Sequence, residues 1–159
     1  MHRDGYAGEI LYVDLSEGTS RRAQYPDSWR NQYIGGRGFG VRIVSDLVRP
    51  GTDPLSGENV IAFMTGPLTG SGVPMGSRFD VVTVSPQTGT LSSANSGGHF
   101  GPALKRAGLD GIVLTGESES WVTLSISPRQ DELVEAGDLR GKTVSKTTRA
   151  LKEKRGGTH

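Results

Sequence analysis

Cysteine is absent from all 159 residues, which removes disulfides, thiolate metal sites and any cysteine-held iron–sulfur cluster from what this chain can itself provide. Aromatic residues make up only 6%, so a core has to rest on Val, Ile and Leu. No stretch approaches the ~20 apolar residues of a membrane helix. The opening MHRDGYAGEILYVDL lacks an apolar core of signal-peptide length, and the expectation is a cytoplasmic protein that does not engage a membrane. Charge of one sign is also missing: 18 Lys and Arg face 17 Asp and Glu, for a net +1, and their interleaving leaves no electrostatic footprint for nucleic acid. The motifs GxxxxGKS/T, GxSxG and HExxH do not occur, so a phosphate-binding P-loop, a hydrolase nucleophile elbow and a zincin site have no support. His2, His99 and His159 stand far apart, and no protein-ligated metal is expected.

What the chain has instead is glycine, 24 residues of it, roughly twice the usual ~7%. Such a chain is rich in turns. Residues 8–15, GEILYVDL, alternate Ile10, Tyr12 and Asp14 with Leu11, Val13 and Leu15, and with a return strand near 21–25 they predict an opening hairpin. PDSWRNQYI predicts a short helix stopped by Gly35 and Gly36, and Phe39, Ile43, Val44, Leu47 and Val48 predict a second over 38–48. VIAFM (60–64) and RFDVVTV (78–84) read as strands, and HFGPALKRAG as a short helix starting near Pro102. GIVLTG (111–116) and WVTLSI (121–126) look like paired strands with DELVEA as a third, before an exposed, charged C-terminal helix. Strands with irregularly inserted helices, without a repeated βαβ unit, indicate an α+β, β-rich fold of a single domain over 1–159.

Candidate chemistry concentrates between Thr65 and Gly101, where glycine-dense turns alternate with short apolar runs. Arg78 supplies a fork that matches a phosphate or a polarised heterocycle. Asn95 offers an amide donor and a carbonyl acceptor, and in an Asn95–Ser96–Gly97–Gly98 turn the glycines permit close backbone approach. Asp80 alternates with Arg78 on one side of its strand, either to orient it or to face water. GGRGFG at 35–40 resembles a dinucleotide fingerprint superficially, but the pattern read from Gly36 requires Gly at 41, where the chain has Val. The plain reading is a helix end followed by a tight turn, with Arg37 left to approach a ligand phosphate. His99 reads as a loop or helix-start residue. Asp14, Asp46, Asp53 and Asp110 form no motif and read as solvated or turn-capping groups.

The ordered segments GYAGEILYVDLSEG, QYIGGRGFGVRIV, DPLSGENVIAFMTGPLTG, GSRFDVVTVSP and ANSGGHFGPALKRAGLDGIVLTG resemble the N-terminal domain of the aldehyde ferredoxin oxidoreductase family. The resemblance implies two packed β-sheets with short peripheral helices, acting as a base for a tungsten (or molybdenum) bis-pterin with bridging Mg²⁺. It implies that Arg78 lies beside the pterin and that Asn95, Ser96 and Gly97 form the turn at its phosphates, with no catalytic residue on this chain. The implied reaction is oxidation of an aldehyde to a carboxylic acid, electrons leaving through a [4Fe-4S] cluster to a ferredoxin-type carrier. Family enzymes are several times longer, so the resemblance further implies that the cluster and the acid/base residues belong to missing downstream domains or to a larger Cys-containing catalytic subunit. The rival expectation is a non-catalytic binding or assembly module that keeps the fold alone.

Overall fold

The computed structural model describes residues 5–154. Its centre is a six-stranded sheet in the order β2-β1-β6-β3-β4-β5. The strands are β1 (Glu9–Asp14), β2 (Thr19–Gln24), β3 (Ile61–Thr65), β4 (Phe79–Val84), β5 (Leu91–Ser96) and β6 (Gly111–Thr115). All neighbours are antiparallel except β1 and β6, which run parallel from the pair Ile10 and Gly111 to the pair Asp14 and Thr115. A second, two-stranded sheet holds β7 (Val122–Ile126) and β8 (Asp131–Glu135). The α+β, β-rich architecture with two sheets and short helices is therefore the observed one.

Alternation along β1 explains why the sheet has two covered faces. Ile10 points into a cluster with Phe39, Ile43, Val44, Ala62, Met64, Val82 and Val113, beneath α1 (Ser28–Tyr33) and α2 (Arg37–Leu47). Leu11 and Val13 point the other way, to Leu104 of α3 (Phe100–Arg106), Leu109 and Ile112, and onto Leu124, Ile126 and Leu133 of the hairpin β7–β8. Each fully buried Val, Leu, Ile or Phe contributes about 1.5–3 kcal/mol. The hairpin is also tied down electrostatically. Arg22 Nε and Nη2 donate to the two carboxylate oxygens of Asp131 at 2.7 and 2.8 Å, and Nη1 and Nη2 reach the carbonyls of Ala107 and Ser127.

The glycines of GGRGFG turn α1 into α2. Gly35 and Gly36 have φ of 143° and 50°, and a Cβ on Gly40 would stand 2.5 Å from Val82 Cγ2. These are backbone and packing requirements, and they confirm the helix-end and tight-turn reading. The C-terminal helix α4 (Val144–Lys154) buries no residue, as its charge suggested.

Two local expectations are corrected. The segments GIVLTG and WVTLSI do not pair: β6 sits between β1 and β3 at the centre of the large sheet, while β7 pairs with β8. The reason is burial. Gly111, Ile112 and Val113 are enclosed, and a Cβ on Gly111 would collide with Met64 Sδ, so β6 suits only an interior position, whereas half-buried β7 suits a layer laid over the sheet. The second correction concerns Asn95 and Ser96. They lie on β5, not in a turn, because the ladder with β4 continues through Asp80 opposite Asn95 and Phe79 opposite Ser96. The helix after them starts at Phe100, two residues before the expected Pro102.

Candidate functional site

The four residues singled out by sequence are brought together at one end of the β4–β5 pair. Arg78 immediately precedes β4, Asn95 and Ser96 close β5, and Gly97 follows, all exposed. Arg78 Nε donates to Asn95 Oδ1. Asn95 Nδ2 in turn donates to the Phe79 carbonyl at 3.2 Å, which fixes the amide's orientation across the strand pair. The guanidinium is thus steered by the neighbouring strand, Nη2 also donating to the Asn95 backbone carbonyl at 3.5 Å, while Nη1 has no protein acceptor among the described residues. Past Ser96 the backbone is bare. A Cβ on Gly97 would meet nothing nearer than Ser77 Oγ at 3.9 Å, and Gly98 has φ 94°. The amides of Gly97 and Gly98 have no hydrogen-bond acceptor among the described residues. Guanidinium N–H and free backbone N–H beside open space make a donor set suited to an anion.

Beside Arg78 lies a cleft of about 330 Å³ lined by Ile34, Arg37, Leu68, Met75, Arg78 and Asp80, among others. Its rim holds two non-glycine residues with left-handed backbone, Ile34 (φ 65°) and Met75 (φ 64°). For a β-branched residue this conformation is costly, and such strain collects at functional sites. Asp80 is half-buried and makes no hydrogen bond to Arg78 among the described residues. One of its carboxylate oxygens lies 2.7 Å from the place a Cβ would take on Gly36, at the start of α2, where the helix dipole favours negative charge. His99 precedes α3 as a helix-start residue, while His2 and His159 lie outside the described residues.

One polar centre escaped the sequence. Asp110, expected to be a solvated or turn-capping group, is 1% exposed because four donors converge on it. The Ala7 and Gly8 amides donate to its two oxygens at 3.1 and 2.7 Å, the Tyr25 hydroxyl donates at 2.7 Å, and Lys105 Nζ completes the set. Arg30 lies over the rings of Tyr6 and Tyr25 close by. Burial, reinforced by the Asp110 carboxylate, pushes the Tyr25 phenol well above its ordinary 10.0. Burial also lowers Lys105, against the pull of Asp110. The only hint in the sequence was that Asp110 stands directly before an apolar run, at the entrance to a central strand. Asp14 and Asp53, by contrast, cap turns as expected, through Ser16, Glu17 and Leu55 amides.

Taken together, the chain is an α+β domain in which a packed mixed sheet ends in a glycine-lined, arginine-bearing rim. Comparison with known proteins narrows this. Residues 10–159 match the family model described as aldehyde ferredoxin oxidoreductase, N-terminal domain, and the chain belongs to that family. It is 43% identical over 98% of its length to a tungsten-containing aldehyde ferredoxin oxidoreductase of Pyrococcus abyssi, of which it covers 26%. A tungsten-containing aldehyde ferredoxin oxidoreductase of Thermococcus kodakarensis is 41% identical over 96% of the chain and covered to 25%. Among solved structures, a chain of the active-site complex BamBC of benzoyl coenzyme A reductase, in complex with 1,5-dienoyl-CoA, superposes with TM-score 0.95 at 34% identity, over 99% of this chain and 24% of that one. The chain therefore spans about a quarter of the length of the relatives it matches. No helix among the described residues is long and apolar enough to cross a membrane.

Proposed function

We propose that this chain is a single domain acting as the cofactor base of a tungsten (or molybdenum) bis-pterin oxidoreductase that converts aldehydes to carboxylic acids and passes electrons to a ferredoxin-type carrier. The observation that carries the reading is the pairing of Arg78 with Asn95 beside the open Gly97–Gly98 backbone. Asn95 holds the guanidinium in place, and the uncommitted Nη1 and the Gly97 and Gly98 amides are donors that suit the phosphates and ring carbonyls of a pterin. When bound, the cofactor supplies the metal centre at which the aldehyde is oxidised. Arg78 would hold a fixed positive charge against the anionic pterin dithiolene, and the Gly97 and Gly98 amides would approach a phosphate without side-chain hindrance. Ser96 adds a hydroxyl at the same strand end. Asn95, engaged by Arg78 through Oδ1, would lie beside the phosphates and a bridging Mg²⁺. This chain has no cysteine. A [4Fe-4S] cluster and the acid/base groups are accordingly assigned to further domains or to a larger Cys-containing subunit, in the cytoplasm.

The test is retention of cofactor. In the holoenzyme, Arg78→Ala and Asn95→Ala should each lower the pterin and the tungsten or molybdenum that survive dialysis by about tenfold, the equivalent of one charge-assisted hydrogen bond. Unchanged pterin and metal content in both variants would favour the rival reading, a binding or assembly module without enzymatic role.

A further inference from the structure

The segment 66–78 joins β3 to β4 and is exposed for most of its length, with Met75 93% accessible. Thr69 is the exception at 7%. Its hydroxyl oxygen accepts from the Gly66 amide at 3.1 Å and its proton goes to the Arg78 carbonyl at 2.8 Å. One hydroxyl therefore ties the first residue of the loop to the last. Its methyl group is fixed as well, since a Cβ on Gly101 would come within 2.9 Å of Thr69 Cγ2. Upstream, Thr65 is anchored through both its amide and its hydroxyl to the Asp110 backbone carbonyl, each at 2.8 Å. A path of hydrogen bonds and the Thr65–Gly66 peptide bond thus runs from the backbone of buried Asp110, through Thr69, to the backbone from which Arg78 projects.

We infer that Thr69 is a positioning residue for Arg78, setting the guanidinium in reach of Asn95 at the edge of the cleft. This rests on the reading of Arg78 as a cofactor contact but concerns the geometry of Arg78 before any cofactor arrives. The physical argument is leverage. Arg78 has a long side chain at the end of a glycine-rich loop, and without a fixed carbonyl its backbone can rotate, displacing the guanidinium by far more than a hydrogen-bond length. Thr69 removes that freedom within a loop that is exposed for most of its length.

The experiment reads the side chain of Arg78 directly in the 159-residue chain. Nitrogen-15 NMR resolves arginine Nε–H groups, and Arg78→Lys identifies the resonance. In the parent chain the Arg78 Nε–H should exchange slowly because of its bond to Asn95. Thr69→Val, which keeps the shape and loses the hydroxyl, should raise that exchange rate roughly tenfold, as loss of a hydrogen bond does, and Thr69→Ser should restore it. An unchanged exchange rate and chemical shift in a folded Thr69→Val chain would overturn the inference. If the Val variant does not fold, Thr69→Ala decides: parent-like exchange of the Arg78 Nε–H in that folded chain overturns the inference, and a rate raised about tenfold that Thr69→Ser does not share upholds it. Cofactor retention by Arg78→Ala reports separately on the underlying reading, so either idea can fail alone.

Discussion

Two polar centres in this domain are built from similar chemistry and have opposite fates. At Asp110 a carboxylate collects two amides, a phenol and an ammonium inside the protein. At Arg78 a guanidinium meets the side chain and the backbone carbonyl of one asparagine at the surface, and its Nη1 is left without a protein acceptor among the described residues. The first is saturated: its donors come from the N-terminal segment, the β2–α1 link and α3, and their number leaves little for a ligand. The second is unsaturated by construction, since β5 is exposed along all six residues and the amides of the glycines that follow have no acceptor among the described residues. Saturation stabilises a fold, and leftover donors invite an anion. Thr65 and Thr69 connect the two, so the rigid centre lends its geometry to the open one.

The contrast is broken most severely at Asp110. Asp110→Ala strands the Lys105 ammonium, the Tyr25 hydroxyl and two amides, and should cost about 3–5 kcal/mol, the usual result of removing one partner of a buried charge pair. Urea unfolding of the two chains measures it. Arg78→Ala, judged by the same measurement, should change stability by no more than about 0.5 kcal/mol. Comparable losses at both positions would mean that the rim is structural after all.

Much of this fold could be read from the chain because most of its elements obey local rules. The alternation of Ile10 and Tyr12 with Leu11 and Val13 announces a strand with two faces, and both faces are indeed packed. Gly35 and Gly36 mark the end of a helix for a reason visible in their φ angles. Pairing is less local. GIVLTG carries the same apolar character whether it joins WVTLSI or lies between β1 and β3, and only the missing Cβ at Gly111, against Met64, reveals its place. The site shows the same division. Arg78 and Asn95 could be singled out chiefly through the family resemblance, because an Arg beside Gly-rich turns is common in β proteins. Asp110 could not, because an acidic residue beside glycine reads as a turn, and its four donors come from positions up to 103 residues away.

A smaller effect tests whether the second layer behaves as a part of the rigid half. Arg22 is the polar tie between the six-stranded sheet and the hairpin β7–β8, bonding Asp131 through two nitrogens. Arg22→Met retains the apolar stem and removes the fork. It should destabilise the domain by about 1–3 kcal/mol, the range for hydrogen bonds to charged groups, and amide exchange should accelerate in 122–135 before it does in β1, β3 or β6. Uniform acceleration throughout would show that the hairpin is inseparable from the sheet.

A further effect isolates the proton held at the saturated centre. The Tyr25 phenol is raised above 10.0 by burial first and by its bond to Asp110 second. The unfolded chain therefore gives up this proton at a lower pH than the folded one does. The stabilisation is fully present below pH 10 and is lost as pH rises beyond it. Lys105, lowered by burial, acts in the opposite sense over part of the same window, which makes the net slope shallow and the variant comparison necessary. Tyr25→Phe removes the phenol's contribution together with its hydrogen bond. Urea midpoints taken from about pH 8 to about pH 11 should show a deficit of roughly 1 kcal/mol for the variant at the acidic end, narrowing at the alkaline end. A constant deficit across that range would mean that the hydroxyl acts at Asp110 only through packing, and that the proton it holds contributes nothing to the rigidity of this half of the domain.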